Sequence, residues 1–237
     1  MPDVFSAIAY AFVAGATIPL GGLAARIEDF RPHWLETEFR HSVIAFGGGA
    51  LLAAVALVLI PEGMKLTSPT LALPAFTLGG VCFFVVDYLI ARAGGAASQL
   101  LAMLLDFVPE SLALGAMLAT GKATGLLLAG LIALQNLPEG FNAYRELRSG
   151  TRLPAGRILA AFCTIVLLGP LAAWVGFSFL HSLEDLLGSI MFFAAGGILY
   201  LNFQDIAPQA HLERHWAPPL GAVAGFLLGL WGHMLLQ

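Results

Sequence analysis

Two stretches decide how this chain is read: "LLDFVPESLALG", Leu104 to Gly115, and "ALQNLPEGFNAY", Ala133 to Tyr144. Both are largely apolar, yet the first carries Asp106 and Glu110, the second carries Glu139, and a proline stands directly before each glutamate. A constant shift of 29 residues lays Asp106, Pro109 and Glu110 on Gln135, Pro138 and Glu139. The duplicated D/Q-x-x-P-E pattern raises one question: what counter-charge do buried acids find there?

The surroundings are those of a membrane protein. Of 237 residues, 59% are hydrophobic and 11% charged, and the mean hydropathy is +0.85, beyond the range of soluble globular domains. Apolar runs of about 20 residues, the length needed to cross about 30 Å of hydrocarbon, recur at about 4–26, 42–61, 70–92, 97–119, 123–144, 157–180, 186–208 and 216–236. Backbone groups in lipid must be satisfied within the chain. The expected fold is therefore an all-α integral membrane protein, a single transmembrane domain of eight helices. The N-terminus lacks a basic n-region and is read as the first helix, not a signal peptide. Cys82 and Cys163 lie in apolar runs and are read as core residues, with no disulfide framework.

Orientation follows the basic residues. Nine of the eleven, Arg26, Arg31, Arg40, Arg92, Arg145, Arg148, Arg152, Arg157 and Arg214, follow or flank helices 1, 3, 5 and 7, whereas Lys65 and Lys122 lie on the other side. Both termini are thus expected outside a cell (inner) membrane, with the arginine-rich loops in the cytoplasm. A net charge of −4 gives no sign of a nucleic-acid partner.

A second internal similarity joins "FGGGALLAAVALVLIPEG" from Phe46 to "FAAGGILYLNFQDIAPQA" from Phe193, which share Phe, Gly, Leu and Pro at equal offsets under a shift of 147. Five crossings separate them, so the two segments run in opposite directions. Helices 1–3 and 6–8 are read as an inverted repeat around the helix 4/5 pair, an arrangement found in secondary transporters with a midplane site.

Asp106 and Glu110 are four residues apart, as are Gln135 and Glu139, so each pair shares a helix face. Both pairs fall near the bilayer centre at 1.5 Å per residue. No Lys or Arg lies between Leu100 and Ala119 or between Ala123 and Tyr144. A carboxylate at that depth costs at least about 2.5–3.5 kcal/mol on insertion scales. A bound cation or a proton is the expected counter-charge.

These motifs resemble the Zrt-, Irt-like (ZIP) divalent metal transporters, whose fourth helix carries H-N-x-P-E-G and whose fifth carries H/Q-N/D-x-P-E-G; here they read "DFVPES" and "QNLPEG". The likeness extends to helix 2 and to "FFAAGGILYLNFQDIAP" in helix 7. It implies a carrier that moves a divalent metal (zinc, manganese, iron or similar) into the cytoplasm by alternating access. It further implies a ligand set of Asp106, Glu110, Gln135 and Glu139, with Asn136 auxiliary. A second metal site in the family draws on positions that are Phe107 and Gly169 here, which implies a single-ion centre. Carboxylates and an amide are hard ligands that suit manganese, ferrous iron or magnesium as readily as zinc. Three acids against one dication leave a charge that a proton offsets, so proton coupling is expected.

The candidates for the ion pathway are Glu62 beside Pro61, Gln204 and Asp205 before Pro208, and His211 with His215, four residues apart. Asp87 is expected to pair with Arg92. The expected partners are the divalent metal as substrate and the lipid bilayer, with a homodimer an allowed assembly and no cofactor. The chain is not expected to be an enzyme. The rival readings are a transport-inactive member that senses metal or serves as a structural partner, and an intramembrane metallohydrolase.

Overall fold

The computed structural model describes residues 3–28, 38–93, 98–121, 123–211 and 216–236. The described residues form α1 (Val4–Glu28), α2 (Arg40–Leu66), α3 (Pro69–Ala93), α4 (Ser98–Ala119), α5 (Thr124–Gly150), α6 (Ala155–Leu180), α7 (Glu184–Ala210) and α8 (Leu220–Leu235), with no strand among them. Five of these, α1, α2, α3, α6 and α7, are long and apolar enough to cross a membrane; α8 is shorter, and α4 and α5 carry the acidic motifs. Large apolar side chains such as Phe12, Leu78, Phe84 and Leu227 point outward. An apolar exterior of this extent fits lipid and not water.

Prolines shape three of the helices. Pro61 and Pro208 offer no N–H to the carbonyls of Leu57 and Gln204. α2 and α7 absorb the gap by widening into π-helical turns at Val55–Leu59 and Asn202–Ile206 and then continue, to Leu66 and to Ala210. In α6 a turn at Val166–Leu167 interrupts the helix four residues ahead of Pro170; the Val166 carbonyl, to which that proline offers no N–H, accepts from Gly169 N at 3.3 Å instead. Another π turn, Gly176–Leu180, closes α6.

Glycines set the packing. α1 lies on α5 and α6 on α4, while α8 lies on α2 and α3 on α7; α4 and α5 pack together at the centre and meet α7 and α2 across the bundle. In each outer pair the helices approach until a Cβ would strike backbone: at Gly21 against the carbonyl of Leu137, at Gly140 against Ile18, at Gly115 against Ala173 and at Gly176 against Leu112. The same holds at Gly49 against Ala222, Gly225 against Phe46, Gly79 against Phe193 and Gly196 against Phe76. Small residues at such crossings are how helices associate in lipid, where the hydrophobic effect between them is absent.

Two expectations about single residues are corrected. Cys163 is exposed on α6 and Cys82 is half-buried, so neither is a core residue; both sit on helix flanks that an apolar side chain could equally occupy. The partner of Asp87 is Tyr200, whose hydroxyl donates to Oδ2 at 2.9 Å. Arg92 instead lies over the ring of Tyr88, 5.5 Å from its centroid. An arginine one turn and a residue beyond Asp87 finds an aromatic face on its own helix, while the neighbouring helix offers the acid a hydroxyl.

Candidate metal centre

The acidic motifs lie at the contact of α4 and α5, at the centre of the bundle. Asp106, Glu110, Gln135 and Asn136 are buried, at 1% exposure or less, and Glu139 is half-buried. Their spacing puts them on the inward faces of the two helices because positions four apart lie one turn above another.

Of the four expected ligands, two line a cavity and two bond to each other. Asp106 and Glu139 line a narrow cavity of about 20 Å³ together with Met103, Pro138, Asn142, Leu201 and Asp205, which is room for about one water or one ion. Glu110 and Gln135 lie one turn deeper and bond to each other, Gln135 Nε2 donating to Glu110 Oε2 at 2.6 Å. Asn136 faces α1, its amide donating to the backbone carbonyl of Ala14 at 3.1 Å. Among the described residues no group of three His, Cys, Asp or Glu side chains stands in a metal-ligating arrangement.

The oxygens nevertheless share a condition. Oδ1 of Asp106, Oε1 of Glu110, Oε1 of Gln135 and Oε2 of Glu139 are all buried without a hydrogen-bond partner in the protein, as are Oδ1 of Asn136 and of Asn142. Buried acceptors without partners are rare and costly, about 1–3 kcal/mol each and more when charged. These are acceptors only, so protons, waters or a cation answer them and another acceptor does not. All are oxygen donors, which matches the hard-cation preference.

The cavity has a direction. Asn142, Asp205 and Gln209 line it and also line a wider, polar opening of about 480 Å³ with Arg40, Arg145, Glu146 and Ser149. That opening lies at the end of the bundle where α5 and α7 finish and α2 begins. Toward the opposite end the same helices close on buried Leu114, Met117, Leu128, Leu131, Val58 and Ile198.

Asn142 is the functional candidate that sequence reasoning missed. It stands three residues beyond Glu139 and seven beyond Gln135, so the helical spacing that found those two also reaches it. Asn202, 5% exposed on α7, was missed for the same reason: an amide within an apolar run draws less notice than an acid. Of the expected pathway residues, Asp205 lines the cavity. Gln204 is exposed on the outer face with Phe203 and Tyr200. Glu62 is buried at the far end of the bundle, accepting from Lys65 Nζ at 2.7 Å. His211 is exposed at the end of α7, and His215 lies outside the described residues.

Phe107 and Gly169 turn out to be complementary. The Phe107 ring is fully buried, and a Cβ at Gly169 would come to 2.5 Å and one at Gly15 to 2.8 Å from its Cζ. The ring therefore fills the space between α1, α4 and α6. Gly169→Ala is expected to cost about 1–3 kcal/mol by overpacking, and Phe107→Leu in the same chain to recover part of it. A thermal-unfolding cycle of the two single variants and the double checks the coupling; strictly additive losses would separate the two sites.

No protein-family model matches the chain, and no curated protein matches it significantly. The likeness to the ZIP transporters rests on the motifs quoted above.

Proposed function

We propose that this protein is a ZIP-like carrier of a divalent metal cation, with eight membrane spans and a single-ion site between α4 and α5. One observation carries the reading: Asp106 and Glu139 present unpartnered carboxylate oxygens to a cavity that adjoins an opening at one end of the bundle and is sealed by apolar side chains toward the other. A site reached from one side at a time is the requirement for alternating access. With the arginine-rich end in the cytoplasm, this is the inward-facing arrangement, and the ion leaves past Asn142 and Asp205.

The inverted repeat is supported by spacing. A shift of 147 carries the π turn Val55–Leu59 onto Asn202–Ile206. It also carries Phe46 and Gly49 onto Phe193 and Gly196, while their contacts Gly225 and Ala222 correspond to Gly79 and Phe76 under a shift of 146. In the other four helices Ile18 and Gly21 correspond to Ala173 and Gly176, and Leu112 and Gly115 to Leu137 and Gly140, the last two at a spacing of 25.

That spacing of 25 is one helical turn away from the motif's 29, and it makes Glu110 and Gln135, the hydrogen-bonded pair, each other's equivalents. It sets Asp106, Glu139 and Asn142 opposite Leu131, Leu114 and Met117. The half of the repeat interface that is open is polar and the half that is shut is apolar. Extending the correspondence, Gln209 at the open mouth matches Glu62 at the closed end, which makes Glu62 the counterpart acid where an ion arrives from outside.

The test is uptake into vesicles reconstituted with the purified protein, comparing manganese, iron, cobalt, zinc, cadmium and magnesium. Saturable uptake of at least one of them above protein-free vesicles is the expected result, with manganese or ferrous iron at least equal to zinc. Absence of flux for every ion, from protein that remains folded, favours the transport-inactive reading.

A further inference from the structure

A second cavity, of about 390 Å³, opens between α1, α2 and α5 toward the arginine-rich end. Ala24 and Ile27 of α1, Phe39 just before α2 and Val43 within it, and Leu137 and Phe141 of α5 line it, and its lining is apolar but for Arg40. Pockets of this volume and character take an apolar ligand with few polar anchors. In a bilayer the apolar molecule at hand is an acyl chain.

The charges around the groove indicate which kind of lipid. Arg40 lines both the groove and the polar mouth. Arg26 is exposed next to Ile27, and Arg145 lies over the ring of Phe141, 5.9 Å from its centroid. Among the described residues, the acids at that end include Glu38, exposed beside Phe39, and Glu146 and Asp205 at the mouth. Three guanidinium groups around the polar end of an apolar slot between helices are suited to an anionic headgroup whose acyl chain fills the slot.

The groove also touches the ion cavity. Ile44 and Pro138 line both, and a Cβ at Gly47 would lie 2.6 Å from the Cγ of Pro138, so the wall between the two is one side chain thick. We infer that the α1/α2/α5 groove binds an anionic phospholipid, its acyl chain against Val43 and Phe141 and its phosphate at Arg40. Through Ile44 and Pro138 the bound chain braces the seam of α2 and α5 beside the candidate ion site, a consequence that rests on the carrier reading.

Native mass spectrometry of delipidated protein, titrated with phosphatidylglycerol and with phosphatidylcholine of the same acyl chains, tests the site without any cation. The expected result is a preference for phosphatidylglycerol of about tenfold, reduced in Arg40→Gln. Ala24→Phe and Val43→Phe, which fill the slot and leave the arginines, are each expected to lose the bound lipid while melting as the parent does. Equal retention of the two lipids by the parent, undiminished phosphatidylglycerol binding in both slot-filling variants, or a lipid-free dimer that occludes the groove would overturn the proposal. Because the readout is lipid alone, a chain that binds phosphatidylglycerol but moves no metal refutes the carrier and leaves this site standing.

Discussion

Replacing Glu139 by alanine is expected to abolish metal uptake, by at least about 100-fold at subsaturating metal, on the ground that even groups supporting a metal ligand cost 10–100-fold when removed. Glu139 carries an unpartnered oxygen and lines the cavity, so the substitution deletes an oxygen donor from the proposed ion site. Asp106→Ala is expected to do the same. Glu110→Ala should be milder, because Glu110 lies one turn behind the cavity, bonded to Gln135. The ordering separates a two-layer site from a four-ligand cradle, in which all three losses would be alike. Initial rates in vesicles, with protein recovery matched by gel filtration, provide the comparison.

Leucine at Gly49 or at Gly196 is expected to prevent the bundle from assembling. Each would drive a side chain into a backbone carbonyl, of Ala222 in one case and Phe76 in the other, and a carbonyl cannot rotate aside as a side-chain end can. The cost should exceed the ~3 kcal/mol upper end of ordinary overpacking, with α8 displaced from α2 or α3 from α7. Gly130→Leu is the control, since a Cβ there meets nothing within 4 Å. Matched losses of monodisperse protein for the first two, against none for the third, are the expected outcome. A Gly49→Leu protein that folds like the parent would show that this approach is not needed.

How much of this was readable beforehand depends on what each feature is made of. Helix positions were legible because crossing hydrocarbon fixes a length of about 20 apolar residues, and all eight expected runs overlap helices among the described residues. Their ends were less so: α2 continues past Pro61 because a π turn accommodates the proline, and nothing in "VALVLIP" announces that turn. The acids of α4 and α5 were found because charge in an apolar run is conspicuous, and Asn142 was not because an amide is less so. The motifs match at a spacing of 29, whereas the proposed repeat uses 25. Four residues make about one helical turn, so either spacing puts the motifs on one face, and the choice of 25 rests on the glycine contacts of Gly115 and Gly140. The layering of Asp106 with Glu139 and of Glu110 with Gln135 depends on how far the two helices slide past each other, which no periodicity encodes.

The departure at Phe107 and Gly169 also changes meaning once packing is known. Read along the chain they are two missing polar groups; in three dimensions the ring of one occupies the space beside the other. The ring and the missing side chain fit each other as one packing unit.

The central claim is that Asp106 and Glu139 hold one divalent cation, and manganese binding observed by electron paramagnetic resonance tests it most directly. The account predicts one manganese ion bound per chain in purified protein, with oxygen ligation, and loss of that signal in the Asp106→Asn, Glu139→Gln double variant that still folds. Undiminished binding in the double variant would contradict it.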